Sequence, residues 1–391
     1  MRRAILTIGA AVVLAAPAAR AGRLSIPKDY TPETSWPVVV ATQSNPDPEV
    51  MKQTPYFLVH AGGKGVECSN KIRDYLKTLA SRFNIDPLRI YATSFSRGGH
   101  EILRQAVLYP DRFAAIAPVD HDLRRGKFLE YVKLMRTPVL QLHGDHDSFR
   151  KTGRALFEQM KAAGVPITWA TFPGGHNPRP VWNTKLNRVW LDFFARHKLD
   201  PYPKEIVHLV DHKRYSRAFW VDSTLVEDAG GMAAVFKVRV KDGNRIEVEA
   251  DEKFAGLDLY LTDKLVDTTK PVTVVTGAGA DEKELYKGPV AEKITIKLRE
   301  AKPYYQTRTR PLWEELEAIR QKSKWMAALK KAGKTSRPVK VETGKGYDAP
   351  AKKPETKQDR PKGAEPGKVP AAGDSKKDPR KPSIRAHRQG G

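Results

Sequence analysis

Cysteine is almost missing: Cys68 is the only one among 391 residues. That excludes an internal disulfide framework and a cysteine-based zinc site. Also missing is any run of about 18 apolar residues beyond the N-terminus, so no membrane span is expected in the mature chain. Acidic residues are scarce beside basic ones, 45 Asp+Glu against 69 Lys+Arg, and the formal charge is +24. Such a charge invites a polyanion partner, but its placement redirects that reading. Residues 333–391 hold 16 Lys+Arg against 7 Asp+Glu, and residues 301–332 hold 8 against 3. The excess is densest at the C-terminal end. It argues for acidic glycan or cell-surface contact through a tail, and against nucleic acid as the main partner.

What is present divides the chain into five parts. Residues 1–21 read as a signal peptide: Arg2 and Arg3, an apolar stretch from Ile5 to Ala16, and the Ala19-Arg20-Ala21 cleavage pattern. The expectation is a mature chain starting near Gly22, secreted or periplasmic. Residues 22–200 alternate short apolar runs with helical spacing. Val38–Ala41, Tyr56–Val59, Arg89–Thr93, Phe113–Val119, Pro138–His143 and Ile167–Phe172 read as strands. Ile72, Leu76, Leu79 and Phe83 share one helix face, and His100 to Leu108 and Gly153 to Ala163 read as further helices. Such alternation predicts an α/β fold, a parallel sheet with helices on both faces.

Residues 201–300 change rhythm. Ala234–Val240 and Arg245–Ala250 flank the Lys241-Asp242-Gly243-Asn244 hairpin signal, and further short strands follow at sandwich-like spacing. A small all-β, sandwich-like region is expected. In 301–332, Pro311 opens a helix running to about Ala332, with Leu312, Leu316, Ile319 and Met326 on one side. From Gly333 apolar residues nearly vanish. The segment cannot bury enough surface to offset its chain entropy, so a disordered Lys/Pro/Gly-rich tail is expected.

The chemistry collects at strand ends. Arg89–Thr93 runs into Ser94-Phe95-Ser96-Arg97-Gly98-Gly99 and then a helix, the strand–turn–helix setting of a nucleophile elbow. The turn needs small residues two before and two after the nucleophile. Gly98 meets this, and Ser94 stands where glycine is usual. Serine needs a base, and the base needs an orienting acid. Asp147 lies just past the strand ending Leu142-His143-Gly144, and His176 sits on the glycine loop after Phe172. The order Ser96, Asp147, His176 is that of a hydrolase triad following successive strands.

With those residues in view, Asp86–Tyr91 leading into Ser96–Gly99, together with Tyr109–Pro118, Pro138–Asp147 and Phe172–His176, resembles the α/β-hydrolase superfamily. It looks most like secreted esterases related to polyhydroxybutyrate depolymerases and feruloyl esterases. The resemblance covers roughly 30–198. It implies Ser96 as nucleophile, His176 as general base and acid, Asp147 as orienting acid, and no cofactor or metal. Family members carry His-Gly after the first strand, where a backbone N–H helps hold the oxyanion. Here Thr42-Gln43 follows instead. The Arg97 N–H supplies one donor, and Thr42 or Gln43 the second. The run His60-Ala61-Gly62-Gly63-Lys64-Gly65 imitates the missing motif one strand too late.

Other residues compete with these. Asp120 and Asp145 are alternative triad acids. The triplets Asp120-His121-Asp122 and Asp145-His146-Asp147 offer metal donors, although adjacent loop residues rarely converge on one ion. His100 reads as structural, Cys68 as a semi-buried loop residue, and Trp169, Trp182 and Trp190 as core, with Trp182 also placed to line an acyl pocket. Arg97 has a charge suited to an acidic substrate. The function expected is a secreted serine carboxylic-ester hydrolase acting on a small-molecule or polymer-linked ester. A serine peptidase of the same fold, or a weakly active binding protein with a polyanion-binding tail, is the alternative.

Overall fold

The computed structural model describes residues 24–121, 127–212, 215–227, 233–277, 279–304, 310–339 and 341. The expected signal peptide and residues 342–391 of the expected tail lie outside them. In chain order the first part runs β1 (Leu24–Ser25), β2 (Thr34–Thr42), α1 (Pro48–Lys52), β3 (Phe57–His60), α2 (Gly65–Arg82), β4 (Ile85–Phe95) and α3 (Arg97–Leu108). It continues through β5 (Ala115–Val119), α4 (Lys127–Val132), β6 (Val139–Gly144), α5 (Arg150–Ala162), β7 (Ile167–Phe172), α6 (Arg179–Asn183) and α7 (Arg188–Ala195).

The sheet order is β1-β3-β2-β4-β5-β6-β7, with β1 antiparallel and the other pairs parallel. Parallel strands covered on both faces are apolar throughout, and the alternation along β2 shows how. Val38 and Val40 join one apolar layer with Ile72 and Leu76 of α2, Ile102 of α3 and Leu156 of α5. Val39 and Ala41 join the opposite layer with Trp190, Phe193 and Phe194 of α7. Each large side chain buried there contributes about 1.5–3 kcal/mol. Trp190 also donates its indole N–H to the Val181 carbonyl (3.0 Å), so its polar edge carries no unmet donor.

The second part follows as β8 (Glu205–Val210), β9 (Arg217–Ala218), β10 (Val221–Leu225), β11 (Ala234–Lys241), β12 (Arg245–Ala250), β13 (Phe254–Leu259), β14 (Val272–Thr276), β15 (Lys283–Gly288) and β16 (Ile294–Lys297). They form a sheet β16-β13-β10-β9 and a sheet β15-β14-β12-β11-β8. Trp220, Phe236, Phe254, Leu257 and Val274 belong to one buried cluster of this region. The hairpin read at Lys241–Asn244 closes on the Lys241–Arg245 pair. The region is not set apart by a linker, since Leu209 of β8 and Tyr215 are buried with the α2–α3 layer.

Two expectations are corrected. The helix expected to run unbroken to Ala332 is two, α8 (Leu312–Gln321) and α9 (Lys324–Lys331). Ser323 interrupts it because its side chain accepts the Met326 N–H (3.2 Å) and starts a new helix. The tail expected to lack structure from Gly333 is ordered at its start. There β17 (Arg337–Pro338) pairs in parallel with Thr34 and Ser35 of β2. Val339 and Val341 also pack onto the two apolar layers. Composition averaged over the segment hid these two valines. No described helix is long and apolar enough to cross a membrane.

Candidate active site

The site is built at the C-terminal ends of β2, β4, β5, β6 and β7. Ser96 sits between β4 and α3 at φ 52°, ψ −122°, a backbone position that L-residues hold only when their surroundings enforce it. Packing enforces it here. A Cβ on Gly98 would strike the Ser94 hydroxyl, and one on Gly99 the His121 ring. The departure at Ser94 is accommodated because its buried hydroxyl donates to the Thr42 carbonyl, into the space that Gly98 leaves open.

Three residues read from the sequence meet here. The His176 Nε2 lies 3.0 Å from Ser96 Oγ, and His176 Nδ1 lies 3.1 Å from Asp147 Oδ1. A carboxylate only accepts, so Nδ1 carries the proton and Nε2 is left to accept the serine hydroxyl. The imidazole stands between Phe95 (ring centroids 4.6 Å apart) and Phe149 (4.9 Å). These two rings limit its rotation and were not singled out from the sequence. Asp147 is buried, and burial alone raises a carboxyl's pKa. The Phe149 N–H (3.0 Å), the His143 ring (3.2 Å), Asp120 and His176 outweigh that and hold Asp147 below the usual range.

Asp120, the rival acid, does not touch His176; it backs Asp147. Its Oδ1 accepts the Gly144 N–H (2.7 Å), the Asn177 N–H also favours its charged form, and its buried Oδ2, without a hydrogen-bond partner of its own, lies against the Asp147 carboxyl. A proton on Oδ2 satisfies both groups at once. Burial is the main cause that pushes Asp120 up to about 8, with the Asp147 charge adding to it. Asp120, His143 and Asp147 place donor atoms within 4.8 Å of one another, as a metal site would. Their hydrogen bonds, together with the stacking of His143 on Trp169 (4.8 Å), already account for the cluster. What betrays it in sequence is strand adjacency: the residue ending β5 must lie beside the loop leaving β6.

The remaining candidates fall into place around this chain. Asp145 is half-buried at the turn and pins the histidine loop by accepting the Gly174 N–H (2.9 Å). His100 packs edge-on against the fully buried His121 (4.5 Å), and burial keeps His121 neutral. Cys68 is buried and its thiol is pushed up to about 12, so it is no nucleophile. Trp182 is buried behind Phe95 (6.5 Å) and is not among the residues lining the pocket beside the elbow. Arg97 opens α3, so its backbone N–H has no acceptor within the helix. Thr42 pairs with Ser94 as the last residue of its ladder, and Gln43 then turns out of the strand at φ 59°. Gln43 and Arg97 both line a pocket of 360 Å³ beside the elbow.

A mostly parallel sheet, the strained serine turn after β4, the acid after β6 and the histidine after β7 together define the α/β-hydrolase fold. No family model matches the chain. Among solved structures it is similar to a thermostable esterase at 17% identity, over 45% of this chain and 58% of that one, with a TM-score of 0.36. It is similar to the acylaminoacyl peptidase of Pyrococcus horikoshii at 17% identity, over 45% and 39%, with a TM-score of 0.38. A third is an esterase of the planctomycete Thermogutta terrifontis, at 18% identity over 44% and 84%, with a TM-score of 0.33. The chain covers less than two thirds of the first two proteins' lengths.

Proposed function

We propose that the protein is an exported serine carboxylic-ester hydrolase. The observation that carries this reading is the unbroken hydrogen-bonded chain from Ser96 Oγ through His176 to Asp147. The Ser96 oxygen attacks the ester carbon as His176 Nε2 takes its proton. The negative charge that forms on the carbonyl oxygen is met by the backbone N–H groups of Arg97 and Gln43. His176 then returns the proton to the departing alcohol, and water releases the acid from Ser96 by the same steps in reverse. Asp147 stabilises the imidazolium that exists between the two transfers.

Ser96→Ala tests the proposal. Hydrolysis of 4-nitrophenyl butyrate should fall by on the order of 10⁴–10⁶-fold with the fold unchanged by circular dichroism. Undiminished activity in the variant would refute the assignment. The Thr42-Gln43 departure supports a second reading, a binding protein on a hydrolase scaffold. Failure of the purified protein to take up a fluorophosphonate on Ser96 would favour it. The basic residues beyond 341 are proposed to hold the enzyme at an acidic glycan or cell surface. Removing 342–391 should then abolish salt-sensitive retention on a heparin-type polyanion column.

A further inference from the structure

The pocket beside the elbow has a charge that the ester chemistry does not require. Its lining is Gln43, Lys64, Gly65, Arg97, His100, Glu101 and Arg104. Three of these are cations and one is an acid. The acid is already occupied: Glu101 is buried, its Oε2 accepts the Gly65 N–H (2.9 Å) and its Oε1 accepts the Gln105 amide (2.6 Å). It therefore serves as the N-terminal cap of α2 and leaves a local excess of positive charge.

Lys64 and Arg97 are exposed and make no ion pair among the described residues. By contrast Lys71, Lys77 and Arg89, elsewhere on α2 and β4, are paired with Glu67, Glu315 and Asp86. Arg104 is half-buried; its side chain hydrogen-bonds that of Tyr215, while its Nε has no hydrogen-bond partner. The helix α3, starting at Arg97, also directs its positive end to this space. Two exposed cations without an ion pair, Lys64 and Arg97, with Arg104 beside them around a concave space of this size, fit a bound anion.

We propose that the substrate carries a second, anionic group, a carboxylate on its acyl portion, held in this pocket by Lys64, Arg97 and Arg104. The inference rests on the serine-hydrolase reading and specifies its substrate class as the half-esters of dicarboxylic acids. The acyl side is chosen by the proton path. The departing alcohol oxygen must reach His176 Nε2, and neither His176 nor its flanking Phe95 and Phe149 line the pocket. The part of the ester that extends past Gln43 and Arg97 is therefore the acid.

The test compares mono-4-nitrophenyl adipate with its methyl-capped neutral counterpart, reading nitrophenol release by the full-length mature protein. The free carboxylate should raise kcat/KM at least tenfold in 20 mM NaCl. Most of that preference should vanish in 500 mM NaCl, as screening predicts. Lys64→Glu should bring the ratio of the two substrates to one or below; a ratio cancels any general loss of activity. Equal kcat/KM for the two esters in wild type, with both hydrolysed, overturns the anionic subsite and leaves the hydrolase reading intact. If wild type hydrolyses neither ester, titration calorimetry of adipate into the Ser96→Ala protein decides. Salt-sensitive binding that Lys64→Glu removes supports the subsite, and no binding overturns it.

Discussion

Backbone strain is distributed differently in the two regions of the molecule. Five non-glycine residues among those described have φ in the left-handed region. Three of them, Gln43, Ser96 and Asp120, directly follow strands β2, β4 and β5 around the candidate site. The other two, Phe219 and Asn244, lie in turns of the β-rich region, and Asn244 stands beside Gly243 in a hairpin, where such a conformation is ordinary. Buried polar groups divide in the same way. His208 in the β-rich region gives its ring to the Tyr215 carbonyl (2.5 Å), and burial pushes its pKa down to about 4. The Asp258 carboxylate accepts from Thr295 (2.7 Å). Those contacts end within the region. In the α/β layer, Asp120, His143 and Asp147 lead to a serine at the surface. Strain and buried charge thus concentrate at one sheet edge, around the candidate site.

The largest test of that contrast is Asp147→Asn. The amide cannot hold the His176 Nδ1–H in place, so kcat for 4-nitrophenyl butyrate should fall by about 10⁴-fold. Melting temperature should change far less than the rate does. A fall in kcat of less than tenfold would mean that Asp147 is only structural. Next in size is Phe236→Ala. This ring is fully buried and packs on Phe254 (5.7 Å) and His208 (5.4 Å). Its removal should cost about 3–5 kcal/mol in urea unfolding, with kcat per folded molecule unchanged. A large loss of kcat in the folded protein would show that the β-rich region does more than pack.

Much of the site was legible because an α/β chain places its chemistry at predictable points. Ser96, Asp147 and His176 each follow a strand in sequence, and parallel strands bring their C-terminal ends to one edge. What was not legible depended on neighbours distant in sequence. Asp120 was read as a competitor of Asp147. Its role as a supporting group appears only when β5 lies beside β6 and puts the two carboxyls in contact. Lys64 was read as part of a misplaced oxyanion motif, and only the position of β3 next to β2 brings it to the same pocket as Arg97. The break at Ser323 was invisible to apolar spacing, because the periodicity of Leu312, Leu316, Ile319 and Met326 continues across it. Capping by one hydroxyl decided that boundary.

The smallest effect tests Asp120. In the folded protein its pKa is raised to about 8, against 3.8 for an ordinary Asp, so the native state holds a proton that the unfolded chain has released. Stability must therefore decline as pH rises from about 4 to about 8, and flatten once Asp120 has ionised in both states. Ionisation also removes the hydrogen bond to Asp147 and sets two carboxylates against each other. Asp120→Asn keeps an acceptor for the Gly144 N–H and offers Asp147 a permanent N–H donor. At pH 7 the variant should remain within about threefold of wild type in kcat/KM, since it imitates the protonated acid. The difference should appear in the slope: wild type loses melting temperature between about pH 4 and about pH 8, and the variant loses less. Superimposable pH–Tm curves would show that Asp120 is ionised throughout, leaving its buried Oδ2 without the proton assigned to it.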